Sequence, residues 1–284
     1  DFDSMITPMG ELRAEVYEGR VLSRFFKAMG EELAAALPEI VHPFTVETSM
    51  ISAKEGPYAL KMKSGGYILA VPNIDKDIDR GEVVVHYKET SFPRHTKFTV
   101  GSRRCPLLLV DTPLSIWGME GKLLYSTAEL LTVKHKDNMT TMAFYAENEG
   151  ELCFVFNEHV NIKPDRMSVH MDDCTAKLWF DSSSASGAEI HFNNGRTLKL
   201  ICMGLNRALG MECITEDGQI IGRMPEVLED SSGEGSPSMK VSWSGGKALQ
   251  TGAQLFENKK DLGSKPVYME ETGILRGYSF YEAS

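Results

Sequence analysis

Apolar positions from Glu11 to about Leu37 recur at three- and four-residue steps, at Leu12, Val16, Leu22, Phe25, Phe26, Met29 and Leu33. That spacing predicts one long amphipathic helix, which Pro38 ends. After Pro43 the pattern changes to short apolar runs separated by turn residues. Phe44–Ser52, Tyr58–Lys63, Gly66–Val71, Gly81–Tyr87, Pro106–Val110, Met139–Tyr145 and Glu151–Phe156 read as strands. A second group follows Pro164, with Met167–Met171, Ala176–Phe180, Ala188–Phe192 and Thr197–Cys202. Asn193-Asn194-Gly195 marks a hairpin turn between two of them. Close strand spacing without intervening helices predicts a mainly β chain of antiparallel β-sandwich domains preceded by one helix. A lone amphipathic helix also needs a neighbour to cover its stripe, so the pattern leads us to expect a domain beyond this chain.

Leu123–Val133, LLYSTAELLTV, is the most strand-like run, and it carries a single carboxylate, Glu129. Read as one strand, it places Glu129 on the same face as Thr127 and Leu131. A retaining glycosidase needs two carboxylates about 5 Å apart, one as acid/base and one as nucleophile. No second Asp or Glu sits in a comparable context, so Glu129 reads as a polar residue on a structural strand.

Composition narrows the picture. The 284 residues are 42% apolar and 25% charged, ordinary for a folded chain. A net charge of -10 argues against a nucleic-acid partner, which calls for a basic face. No apolar run approaches the roughly 20 residues of a membrane helix, so no membrane partner is expected. The opening Asp-Phe-Asp has no initiator Met and no signal-type core, so we expect either that a leading segment was removed or that this is a piece of a longer protein. Five scattered cysteines (Cys105, Cys153, Cys174, Cys202, Cys213) without a CxxC read as free thiols, which leans towards a reducing compartment.

Other candidate constellations weaken on inspection. Asp75 to Glu82 resembles a calcium loop, but its sixth position is Arg80 and its twelfth is His86, where an EF-hand needs Gly and Glu. His170, Asp172, Asp173 and Cys174 could offer mixed metal ligands, but no second cluster completes the set, and a polar turn is expected. No metal or cofactor is expected. Trp117, Trp179 and Trp243 could stack on a sugar ring, although Trp in a β-sandwich is more often core. Asn138-Met139-Thr140 fits the glycosylation pattern, which matters only in a secreted protein. Nucleophile elbows, P-loops and GxGxxG runs are absent.

Three stretches, in order along the chain, resemble glycoside hydrolase family 35, the β-galactosidases. Asp1-Phe2-Asp3-Ser4-Met5-Ile6-Thr7 with Gly10-Glu11 is similar to the loop after the eighth barrel strand, S-Y-D-Y-D-A-P-[IL]-[ST]-E-x-G. Leu123 to Glu129 is similar to the I-L-Y-S-T-A-E strand of the β domain that follows the barrel. Pro266–Tyr281 is similar to the start of a galactose-binding-type jelly roll. The resemblance implies that the helix is the last of a TIM barrel and that both catalytic glutamates lie upstream, so this chain holds no catalytic residue. It assigns substrate contact to Phe2, with Asp1 matching the motif's first Asp. Phe2 lacks the phenolic hydroxyl of the motif's Tyr, which argues against strict galactose specificity.

The expected domains are 1–42, the end of a barrel; 43–163, a β-sandwich accessory domain; 164–264, a second β region; and 265–284, the opening strand of a jelly roll. The implied function is that of the accessory region of a retaining glycoside hydrolase acting on terminal β-galactosides or related β-linked sugars. Its implied partners are a carbohydrate substrate reached through the barrel, the protein's own catalytic domain, and a possible second copy. The alternative is a stand-alone β-sandwich module for carbohydrate binding or protein interaction.

Overall fold

The helix spans Ala14–Ala35. Ala, Glu, Arg and Leu favour helix along its length, and Pro38 prevents it from continuing. The computed structural model describes residues 5–6, 12–41, 43–214, 220–222, 226–227 and 239–240. The chain divides into two units, of which Arg13–Pro225 is the larger. In the other, the described pairings are the Ile6–Leu12 bridge and the antiparallel strands Glu226–Val227 and Met239–Lys240. Asp1, Phe2, Trp243 and Pro266–Tyr281 lie outside the described residues.

Three sheets of four or more strands build the larger unit, beside the two-stranded pair Met211–Ile214 and Ile220–Gly222. The largest has eight antiparallel strands in the spatial order Leu37–Pro38, Tyr58–Lys61, Tyr67–Ala70, Leu107–Pro113, Lys122–Ser126, Glu149–Val155, Thr175–Asp181 and Ser168–Asp172. A five-stranded sheet runs Glu129–Lys136, Met139–Ala146, Thr197–Gly204, Ser186–His191 and Asn161–Asp165. Its pairing of Met139–Ala146 with Thr197–Gly204 is parallel, one exception to the expected antiparallel architecture. A four-stranded sheet joins Phe44–Thr48, Arg80–Tyr87, Thr90–Phe92 and Thr99–Gly101.

The central strands of the eight-stranded sheet are buried on both faces. Ile68, Leu109, Leu123, Leu152 and Phe154 point into a core shared with the five-stranded sheet and the helix. Leu69, Leu108, Val110, Tyr125 and Cys153 point into a second core, against the four-stranded sheet. Successive residues of a strand face opposite sides, so a doubly covered strand must be apolar at every position. Leu107-Leu108-Leu109-Val110 is such a run.

The cores also answer the question of the helix. Tyr17, Val21, Phe25 and Met29 form its buried stripe, and Phe25 and Met29 enter the first core. Leu22 and Phe26, placed in the stripe by the sequence pattern, are 42% and 49% exposed. The β region itself covers the helix along that stripe, so the stripe alone does not call for a further domain. Hydrogen bonds strap it down as well. Arg24 and Arg20 donate to the Met211 carbonyl at 2.5 and 3.2 Å. The Trp117 indole donates to the Ala28 carbonyl at 3.4 Å, and Glu32 accepts from the Ser64 backbone at 3.0 Å and from its hydroxyl.

The expected divisions at residues 42/43 and 163/164 both fall inside the larger unit. The second lies within the strand Asn161–Asp165, where Pro164 sits at the sheet edge, a position that tolerates the missing N–H. Strands from both sides of it pair directly, Glu149–Val155 with Thr175–Asp181. The short helix Ile51–Glu55 begins inside the run Phe44–Ser52 that the sequence predicts as strand. Asp75 accepts its first N–H groups, from Ile51 at 2.6 Å and Ser52 at 3.1 Å. The acidic loop at Asp75 thus caps a helix remote in sequence.

Double burial has a direct consequence. Leu108→Ala and Leu109→Ala, adjacent residues facing different cores, will each destabilise the chain by about 2–5 kcal/mol. Chemical denaturation measures both; a near-neutral result for either would show that its face is open to water.

Candidate functional site

The run Leu123–Val133 is two strands in two different sheets. Lys122–Ser126 lies in the eight-stranded sheet, Glu129–Lys136 opens the five-stranded one, and Thr127-Ala128 turn the corner between layers. A corner leaves backbone groups outside both ladders, and hydroxyl side chains take them up. The Glu151 N–H donates to the Thr127 hydroxyl at 2.8 Å, and the Thr127 N–H donates to the Glu151 carbonyl at 2.9 Å. The Ala128 N–H donates to the Ser126 hydroxyl at 3.1 Å, and that hydroxyl donates to the Ala128 carbonyl. Gly150 makes the closure possible, because a Cβ there would stand 2.4 Å from the Phe180 ring and 3.0 Å from the Ala128 methyl.

Glu129, the first residue beyond the corner, meets Arg104. The guanidinium lies 2.6 Å from Glu18, 3.2 Å from Glu129 and 3.2 Å from Glu147. Glu129 also accepts the Leu107 N–H at 3.0 Å and a hydrogen bond from the Tyr145 hydroxyl. Glu147 accepts the Gly101 N–H at 3.1 Å. Arg104 and Glu129 are only 16% and 14% exposed. The helix, through Glu18, a strand of the five-stranded sheet, through Glu129, and the turn leading into the eight-stranded sheet, through Glu147, therefore converge on one guanidinium. Burial pushes the Glu129 carboxyl up to about 7, against the pull of Arg104, the Leu107 N–H and Tyr145. Burial likewise raises Glu147.

A second carboxylate, Glu151, is fully buried. It accepts the Tyr125 hydroxyl at 2.6 Å and the N–H groups of Arg94 and His95 at 3.0 and 2.7 Å, which ties the segment after Pro93 to the large sheet. The other candidates are dispersed. Trp117 is core, while the half-buried Trp179 stacks on His95 at 4.3 Å, so one ring face is already taken. His170 lies 6.4 Å from the His95 ring, away from Asp173 and Cys174, which meet His159 instead. Among the described cysteines, Cys153 and Cys202 are buried, Cys174 is half-buried and Cys105 is exposed, and all four are free thiols. Asp1 and Phe2, the expected substrate contacts, are outside the described residues.

Arg104, Glu147 and Glu18 were not singled out in the sequence. Arg104 stands 25 positions from Glu129 and 86 from Glu18, so no local spacing links them. The only hint was an isolated carboxylate in an apolar run, which had to find a cation somewhere.

The comparisons bear on this same region. Residues 93–208 match the family described as "Beta-galactosidase, domain 2". Over those residues the chain is similar to a β-galactosidase domain 2. No curated protein matches the chain. The matched span holds the corner, Arg104, Glu129, Glu147 and Glu151; Glu18, on the helix, lies before it. The resemblance first carried by Leu123 to Glu129 is thus supported by a match extending well beyond it, and domain 2 is a module of glycoside hydrolases.

The Arg104 cluster gives the chain a pH signature. The folded Glu129 carboxyl holds its proton more tightly than an unfolded one, whose ordinary value is 4.5. Its contribution is therefore complete below that value and is lost as pH rises through about 7, on the order of 3 kcal/mol. Melting temperature should fall over this window in the wild type and fall less in Glu129→Gln; identical profiles would place the proton elsewhere. Arg104→Met, which strands three carboxylates, should cost about 3–5 kcal/mol by denaturant titration.

Proposed function

We propose that the chain is the accessory β region of a retaining glycoside hydrolase acting on terminal β-galactosides or related β-linked sugars. In this reading both catalytic glutamates lie outside these 284 residues. The observation that carries it is the domain 2 match over residues 93–208. The chemistry of the carboxylates supports it. Glu129 and Glu147 flank one guanidinium, and a protonated acid beside a carboxylate is what a retaining mechanism uses. Their oxygens, however, are engaged by Arg104, Tyr145 and the N–H groups of Leu107 and Gly101. Glu151 is closed in by Tyr125, Arg94 and His95. The clefts of about 660, 510 and 650 Å³ on this unit are lined by other residues. A carboxylate that must protonate a glycosidic oxygen needs access to it, and these three spend theirs on the fold.

The role left to this region is mechanical. It holds the helix Ala14–Ala35 through Arg104, Arg20, Arg24 and Trp117. A rigid β support of this kind would fix the orientation of whatever packs on the helix's exposed Leu22 and Phe26.

The purified chain should show no turnover of an aryl β-galactoside in a continuous release assay. Turnover that disappears in Glu129→Gln would overturn the proposal and make the Arg104 cluster an active site.

A further inference from the structure

Outside the corner, the hairpin turn between Ser168–Asp172 and Thr175–Asp181 brings Asp173 and Cys174 beside His159. His159 belongs to a loop that precedes the strand Asn161–Asp165 in the other sheet. Its Nε2 lies 3.5 Å from Asp173 Oδ1, and Cys174 Sγ lies 3.9 Å from the same oxygen. All three donor atoms fall within 4.8 Å of one another. We propose that His159, Asp173 and Cys174 form a divalent-metal site of zinc type, with remaining positions open to water.

The distances suit that ion. Zn–N and Zn–O near 2.0 Å and Zn–S near 2.3 Å put tetrahedral ligands about 3.3 Å (N to O) and about 3.5 Å (S to O) apart. The N-to-O and S-to-O separations exceed these by a few tenths of an ångström, and the imidazole nitrogen and the sulfur stand within 4.8 Å of one another, so side-chain rotation must close the site. The donor set also selects the metal. Thiolate with imidazole favours zinc over the all-oxygen shells of calcium and magnesium.

Backbone contacts fix where the donors stand. The Phe156 N–H donates to the Cys174 carbonyl at 2.8 Å, joining the His159 loop to the turn. Glu158, beside His159, accepts from the backbone and side chain of Asn193 at 3.0 and 2.8 Å. Asp173 adopts φ of 51°, a left-handed conformation that Asp and Asn tolerate better than most residues. The site thus connects the edge of one sheet to the loops of the other. His159 and Asp173 are open to solvent, 81% and 78% exposed, so a metal can enter directly. On binding, the Cys174 thiol loses its proton to solvent and the thiolate forms the metal–sulfur bond.

The test titrates the intact chain with Co²⁺, whose thiolate charge-transfer and visible ligand-field bands report a sulfur-containing tetrahedral site. We expect saturable bands at one equivalent, displaced by Zn²⁺. Cys174→Ser should remove the charge-transfer band, and His159→Gln and Asp173→Asn should each weaken binding by about tenfold or more. Asp173→Asn keeps a residue suited to the left-handed turn, so its effect reports the lost carboxylate. Cys105→Ser, which alters the exposed thiol elsewhere, should change nothing. Zinc should raise the melting temperature of the wild type but not of Cys174→Ser. Absence of saturable bands, or bands that persist in Cys174→Ser, would overturn the site.

Discussion

Everything in the larger unit depends on one sheet whose central strands turn neither face to water. The strands from Tyr58–Lys61 to Glu149–Val155 carry one core on each side, and each core needs its own cover. The five-stranded sheet and the helix supply one cover, and the four-stranded sheet the other. Removing either would expose a row of Leu, Ile, Val and Phe, each contributing about 1.5–3 kcal/mol by burial. The layers are therefore interdependent, which is why residues 13–225 form one unit although their strands read as two groups in sequence.

A chain that builds stacked layers must also cross between them, and the crossing at Ser126-Thr127-Ala128 is where the polar chemistry concentrates. Backbone groups released from one ladder are taken by the Ser126 and Thr127 hydroxyls before the next ladder begins. On either side of the corner stand Tyr125, bonded to buried Glu151, and Glu129, bonded to Arg104. Burying these carboxylates would be costly without partners, and each partner comes from a different element. The same charges therefore fasten the helix, the Arg104 segment and the two sheets together. Such a cluster serves orientation, which fits the supporting role proposed for this region.

The alternation of strand text and the absence of later helices made the mainly β architecture legible. Residues 123–129 were enough to suggest the family. Reading 123–133 as one strand failed because the pattern is continuous across the corner: both strands are apolar at the joint, and only two residues turn. Helix periodicity gave the element but chose its buried side imperfectly. Tyr17 and Val21 entered the stripe, and Leu22 and Phe26 left it, because the surface beneath is formed by strands far along the chain. The helix Ile51–Glu55 escaped notice for the same reason, since its cap is Asp75.

The sequence by itself determined what local chemistry controls: helix and strand identity, the helix stop at Pro38, the hairpin at Asn193-Asn194-Gly195, the acidic balance, and a family likeness in Leu123 to Glu129. It singled out Glu129 but not Glu147 and Glu18, the carboxylates that share Arg104 with it. Only the tertiary structure decided that Glu129 faces Arg104, that Pro164 lies within a strand, and that His159 rather than His170 meets Cys174. Those are encounters across sheets. They are set by strand order and by which core needs covering, and neither leaves a fixed spacing along the chain.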